Sequence, residues 1–143
     1  MINSILLVDD EDLFHLVFED ACSLLDITLS LRTLYSTDEA ELKFQKWQKE
    51  PLEKPEVAFI DLNIVGSSID GIDLIKKINT TYGNGIVIGM ISSSSDSLEI
   101  ERAINAGAQF WIVKSDEIEP RLEEFKKDYN GYKERTQDFK VYR

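Results

Sequence analysis

Carboxylates, a hydroxyl and an ammonium stand at the ends of four short apolar runs, and together they have the chemistry to move a phosphoryl group. Asp9 and Asp10 close Ser4-Ile5-Leu6-Leu7-Val8, and Asp61 closes Val57-Ala58-Phe59-Ile60. Ser92 closes Ile86-Val87-Ile88-Gly89-Met90-Ile91, and Lys114 closes Phe110-Trp111-Ile112-Val113. Carboxylates converging on one crevice repel each other, which raises their proton affinity unless a cation is present. Mg²⁺ takes a few carboxylate oxygens and keeps several waters, leaving room for phosphate oxygens. Asp10 and Asp61, with Asp9 in support, are therefore candidate ligands for Mg²⁺. Asp61 is also a candidate nucleophile, because a carboxylate attacking phosphorus gives an aspartyl phosphate. Lys114 would offset charge on the transferred phosphoryl oxygens. Ser92 would hydrogen-bond one of those oxygens once Asp61 is modified.

Taken singly, each residue has an ordinary structural reading. An aspartate after a strand commonly caps a helix or sits in a turn, a serine in a polar loop is a turn residue, and a lone lysine is solvated. The functional reading rests on their joint placement. His15 is the sole histidine and reads as a surface or satisfied side chain, so no zinc constellation is present. Neither GxGxxG nor GxxxxGK[ST] occurs, so a nucleotide cradle is unsupported.

The elements that position these residues follow from periodicity. The four runs are nearly continuous in apolar, often β-branched residues, as strands buried on both faces of a parallel sheet should be. In such sheets the functional crevice lies beyond the carboxyl ends of the strands. Between the runs the spacing turns helical. Asp12 is placed to cap a helix to about Leu25, with Leu13, Val17, Ala21 and Leu24 recurring along it. Ile27–Leu34 alternates like a strand with one solvated face, as at a sheet edge. Ser36 and Glu39 have capping-box spacing ahead of Ala40, Phe44 and Trp47, and Asp96 with Glu99 repeats it before Ile100, Ala103 and Ile104. A third helix carries Leu74, Ile75 and Ile78 and stops before Gly83-Asn84-Gly85. Ile118, Leu122, Phe125 and Tyr129 line a last helix. Five βα units with short links imply parallel strands and right-handed crossovers.

Bulk properties bound the partners. The chain has 143 residues, about one domain, and can bury a core without staples. Its formal net charge of −11 argues against binding nucleic acid or an anionic membrane through the body of the domain. The single cysteine, Cys22, lies in an apolar helical pattern and reads as a small buried hydrophobe. No apolar run approaches the roughly 20 residues that span a bilayer, and no cleavable leader is evident, so cytoplasm is the default location.

The order Asp9-Asp10, Asp61, Ser92, Lys114 resembles the receiver domain of bacterial two-component response regulators, over roughly residues 3–128. Gly107-Ala108 ahead of Lys114 adds to the likeness. The resemblance implies a flavodoxin-like α/β fold, a doubly wound five-stranded parallel sheet of order 2-1-3-4-5. It implies Asp61 as phosphoacceptor, and Asp9, Asp10 and Asp61 as Mg²⁺ ligands with the backbone carbonyl of Asn63. Ser92 and Trp111 match the switch hydroxyl and switch aromatic, and Lys114 the lysine of the site. The implied partners are a histidine kinase or histidine phosphotransfer protein upstream and an unknown protein downstream. The expected function is a stand-alone, chemotaxis-type receiver that catalyses only its own phosphorylation and dephosphorylation.

The sequence departs from the family pattern in places. Ile64-Val65 replace a common Met-Pro, and the stretch from Asp61 to Asp70-Gly71 is two residues longer than usual. Ser115 follows the lysine in place of proline, and Trp111 is bulkier than the usual aromatic. Two rivals remain at this stage. One is a degenerate receiver working as a phosphorylation-independent scaffold. The other is an aspartate-nucleophile phosphatase, although the second acid such enzymes carry two residues after the nucleophile is here Asn63.

The expected organisation is a receiver domain over 1–128 and a C-terminal tail over 129–143. The tail tilts basic, with Lys133, Arg135, Lys140 and Arg143 against Glu134 and Asp138, and its helical periodicity weakens beyond about residue 130. Surface ion pairs contribute only about 0–1 kcal/mol each. Firm docking of the tail would therefore use Tyr132, Phe139, Val141 and Tyr142 as apolar anchors.

Overall fold

The computed structural model describes residues 2–83 and 85–143, the side chain of Leu29 excepted. Asn84, in the expected stop Gly83-Asn84-Gly85, lies outside the described residues. The expected alternation is present: β1 (Ile2–Val8), α1 (Asp12–Leu24), β2 (Thr28–Leu34), α2 (Thr37–Lys49), β3 (Val57–Ile60), α3 (Gly71–Lys77), β4 (Val87–Ser92), α4 (Ser97–Ala106), β5 (Phe110–Val113), α5 (Glu119–Lys133) and β6 (Lys140–Tyr142).

Local chemistry sets the helix ends. Ser36 Oγ accepts the Glu39 N–H at 3.1 Å to start α2, while the Glu39 carboxylate reaches back to the Tyr35 N–H at 3.3 Å. Asp96 Oδ1 accepts the Leu98 N–H at 2.8 Å to start α4, which ends at Gly107 in the left-handed region, φ 101°. Asp12 does not cap α1; it is the helix's first residue, and Glu11 holds the capping position without a side-chain capping bond. The reason is electrostatic, since the Glu11 carboxylate is engaged with Lys114. Beyond α3 the chain continues in a wider helical turn, Ile78–Tyr82, to Gly83.

All strand pairs are parallel, in the order β2-β1-β3-β4-β5-β6. Side chains alternate across the sheet, so each apolar run feeds two cores. Ile5, Leu7, Phe59, Phe110 and Ile112 pack with Phe14, Phe18, Phe125 and Tyr129 on the side of α1 and α5. Leu6, Val8, Ile60, Met90 and Trp111 pack with Phe44, Trp47, Leu74, Ile75 and Ala103 on the side of α2, α3 and α4. Both faces are covered, which is why the runs read as continuously apolar. β2 is the edge strand that its alternation predicted. Gly89 faces the Phe110 ring across β4 and β5, where a Cβ would collide with the ring.

The sheet has six strands, which corrects the expectation of five. α5 runs on to Lys133, past the point where its periodicity weakened, and residues 140–142 then pair with β5, Phe110 opposite Lys140 and Ile112 opposite Tyr142. Packing gives the physical reason. Tyr132 and Tyr142 are fully buried against Phe125, and Val141 and Phe139 pack on the opposite face. The Tyr132 and Tyr142 hydroxyls lie 2.8 Å apart, and Tyr142 donates to Asp128 at 2.7 Å. Three alternating residues are too short a run to read as a strand, yet burial of each large side chain is worth about 1.5–3 kcal/mol.

Candidate functional site

The crevice lies where the strand order reverses, between β1 and β3, as expected for open α/β sheets. The ladders continue one residue beyond the strands: Asp9 N–H donates to Leu34 O at 3.0 Å, Asp61 N–H to Val8 O at 2.9 Å, and Lys114 N–H to Ser92 O at 2.8 Å. These bonds fix the directions in which the functional side chains leave the sheet.

Asp9, Asp61 and Lys114 meet at this rim. Lys114 Nζ lies 2.7 Å from Asp9 Oδ2, 2.7 Å from Glu11 Oε1 and 3.5 Å from Asp61 Oδ2, and 4.5 Å from the centre of the Phe14 ring. Asp9 is wholly buried; its Oδ1 accepts the Glu11 N–H at 2.8 Å, and among the described residues its Oδ2 has no partner but the ammonium. Asp61 Oδ1 accepts the Leu62 N–H at 2.9 Å. Burial, then the charge of Asp9, push the Asp61 carboxyl up to about 7, against the pull of Lys114 and the Leu62 N–H. Burial alone would lower the Lys114 ammonium, but hydrogen bonds to Asp9 and Glu11 and the charges of Asp61 and Asp9 reverse this and raise it.

Three carboxylates, from Asp9, Glu11 and Asp61, present oxygens within 4.8 Å of one another, with a single ammonium among them. Hard oxygen donors with excess negative charge are what Mg²⁺ or Mn²⁺ takes, so the donor set fits a divalent cation.

The remaining candidates lie around this centre. Asp10 is not in the three-acid cluster; its Oδ2 accepts the Val65 N–H at 3.2 Å and ties the loop after β3. That longer loop is also pinned to α2, where Ser67 Oγ accepts the Thr37 N–H at 2.9 Å and Thr37 donates to Ile69 O at 3.0 Å. Asn63 is exposed in the same loop. Ser92 is buried at the end of β4, and its Oγ accepts the Ser94 N–H at 3.2 Å. Trp111 is fully buried and donates its indole N–H to Ser94 O at 2.9 Å. His15 is buried, with Nε2 2.6 Å from Asp9 O and Nδ1 without a hydrogen-bond partner among the described residues, and it stacks on Tyr35.

Glu11 and Gly71 belong to the site and were not singled out for it from sequence. The acidic run Asp9-Asp10-Glu11-Asp12 was the available signal for Glu11. At Gly71, whose N–H donates to Leu62 O at 2.8 Å, a Cβ would overlap the Asp61 carbonyl.

The sequence profile of the response regulator receiver domain matches residues 5–123. The chain belongs to this family. No curated protein matches the sequence. Among solved structures, a two-component response regulator from Cytophaga hutchinsonii superposes on this receiver with a TM-score of 0.77 at 21% identity, over 92% of this chain and 96% of that one. The phosphorylated cyanobacterial phytochrome response regulator RcpA gives a TM-score of 0.72 at 17% identity, over 92% and 94%. The Mn²⁺-bound form of response regulator Rcp1 gives 0.70 at 17%, over 92% and 95%. At these identities the superpositions establish a shared fold.

Proposed function

We propose that this receiver accepts a phosphoryl group on Asp61 from a histidine kinase or histidine phosphotransfer protein and signals through phosphorylation-controlled binding to another protein in the cytoplasm. The observation that carries this reading is the convergence of Asp9, Asp61 and Lys114, from three separate strand ends, on one crevice.

An Asp61 carboxylate oxygen attacks phosphorus as the phosphorus–nitrogen bond of a phosphohistidine breaks, and the departing imidazole nitrogen keeps the bonding pair and takes up a proton. Lys114 neutralises charge on the phosphoryl oxygens. Lys114 lies 2.7 Å from Asp9 and Glu11 and 3.5 Å from Asp61, so it turns from those acids to reach an oxygen held on Asp61. Ser92 offers its hydroxyl to a second oxygen. Hydrolysis reverses the attachment: water attacks phosphorus and Asp61 leaves as the carboxylate. The receiver acts on no substrate but its own phosphoryl group.

Asp9, Glu11 and Asp61 would hold the divalent cation, with Asp10 and the Asn63 carbonyl added if the loop after β3 adjusts. Mg²⁺ there supplies positive charge that favours the ionised nucleophile and screens the incoming phosphoryl oxygens. The relative that carries Mn²⁺ supports a divalent site in this fold.

Incubation with acetyl phosphate and Mg²⁺, followed by intact-mass spectrometry, tests the reading. Wild type should gain one phosphoryl group and Asp61→Asn none. Equal incorporation in the two would refute Asp61 as the acceptor.

A further inference from the structure

The loop from Ser93 to Asp96, between β4 and α4, is held from three directions. From the site, Ser92 Oγ accepts the Ser94 N–H at 3.2 Å. From β5, Trp111 Nε1 donates to Ser94 O at 2.9 Å. From the C-terminal strand, the Arg143 guanidinium donates to Ser95 Oγ at 3.0 Å. One short loop therefore touches the buried hydroxyl at the end of β4, the large aromatic of β5 and the residue that follows β6.

Trp111 has no room to serve as the moving part. It is fully buried, its ring packs among apolar side chains, and its register partner in the sheet is Val141 of β6. The end of β6 is better suited to move: Arg143 is exposed, whereas Tyr142 before it is buried and bonded to Tyr132 and Asp128. β6 is three residues long and pairs with β5 alone, at the edge of the sheet. Its start is anchored to α5, with Lys140 Nζ 2.8 Å from Glu124 and 2.9 Å from Asp128. At its far end, Arg143 is held to the Ser93–Asp96 loop through Ser95.

We propose that β6 with Arg143 is an autoinhibitory strap, which clamps the Ser93–Asp96 loop in its unmodified arrangement and lets go when Asp61 is modified. The proposal rests on Asp61 carrying the phosphoryl group. When Ser92 turns its hydroxyl toward a phosphoryl oxygen, Oγ swings off the Ser94 N–H and the loop loses its inner tether. The loop then moves toward the site, and Ser95 is drawn away from Arg143. Arg143 is freed while Tyr142 keeps β6 on the sheet, and the surface formed by Arg143 and the Ser93–Asp96 loop becomes available to a downstream protein. Coupling of this kind is reciprocal: if occupation of the site loosens the strap, loosening the strap favours occupation by the same factor.

The test uses the full chain as wild type, Arg143→Ala, Ser95→Ala and Asp61→Asn. The probe is beryllium fluoride with Mg²⁺, which mimics a phosphoryl group on a carboxylate. Calorimetry reads its affinity, and hydrogen exchange reads the amides of residues 140–143. Loss of one net hydrogen bond from the unmodified form should tighten analogue binding roughly 3- to 10-fold in Arg143→Ala and in Ser95→Ala. Saturating wild type with the analogue should speed exchange at the end of β6. A merely structural role for Arg143 would lower the melting temperature and leave analogue affinity unchanged or weaker, and that result overturns the strap. Analogue binding by wild type with unaltered β6 exchange also overturns it, while leaving Asp61 as the acceptor. Failure of wild type to bind the analogue, or binding undiminished in Asp61→Asn, overturns the reading of Asp61 and the strap with it.

Discussion

Replacing Asp61 with asparagine should stabilise the metal-free protein. The carboxylate is 7% exposed, lies beside the buried Asp9, and has its proton affinity raised from 3.8 to about 7. Roughly three units of difference correspond to ~4 kcal/mol spent keeping Asp61 ionised in the folded chain, as an upper bound. Asparagine keeps an oxygen for the Leu62 N–H and gives up the 3.5 Å contact with Lys114, which retains Asp9 and Glu11. The net gain should therefore be about 1–3 kcal/mol above neutral pH, or a melting temperature higher by roughly 4–10 °C. The sign with pH follows from proton counting. Between 3.8 and about 7 the native state binds more protons at Asp61 than the unfolded state, so wild-type stability falls as pH rises through that window and levels off above it. The advantage of Asp61→Asn should be full at about pH 8 and vanish near about pH 4. Thermal denaturation of both proteins in chelator across that range measures it. Adding Mg²⁺ at the upper end should stabilise wild type and leave the variant nearly unmoved, because the cation binds the ionised cluster. If Asp61→Asn is the less stable protein in chelator at high pH, or if the gap does not change with pH, the account of a repelled, buried carboxylate is wrong.

Substitutions at two further positions probe the packing of β6 and of the site. Tyr142→Ala empties a fully buried position and should cost about 3–4 kcal/mol in urea denaturation, while Tyr142→Phe, which strips a partner from Tyr132 and Asp128, should cost about 1–2 kcal/mol; losses under about 0.5 kcal/mol for both would show that β6 is not part of the core. Gly71→Ala places a methyl against the Asp61 carbonyl, so it should destabilise by about 2 kcal/mol or more and also lower phosphoryl incorporation from acetyl phosphate; wild-type behaviour on both measures would mean the backbone at Asp61 yields freely.

Legibility in the sequence tracked the strength of the local signal. The central strands were readable because both faces are apolar, as Leu6 and Leu7 show by entering opposite cores. The starts of α2 and α4 were readable because Ser36 and Asp96 carry their capping chemistry within three residues. β6 was not readable as a strand. Phe139, Val141 and Tyr142 were visible as apolar anchors, but what they anchor to is the rim of β5 and the far side of α5, and no local pattern encodes a partner that distant.

The site divides along the same line. The meeting of Asp9, Asp61 and Lys114 was legible because strand ends in a parallel sheet share one rim, so position along the chain is enough to bring them together, and Ser92 ends β4 on that rim. Which acid of the run Asp9-Asp10-Glu11 faces that rim depends on how the turn after β1 is wound, and that is set by competing partners rather than by residue type. Asp10 finds the Val65 N–H, a donor that the common proline at this place in the loop would lack. Glu11, left without a capping bond at the start of α1, finds Lys114 instead. The Val65 N–H thus bears on the acid cluster itself: it engages Asp10, and Glu11 is the third carboxylate beside Asp9 and Asp61.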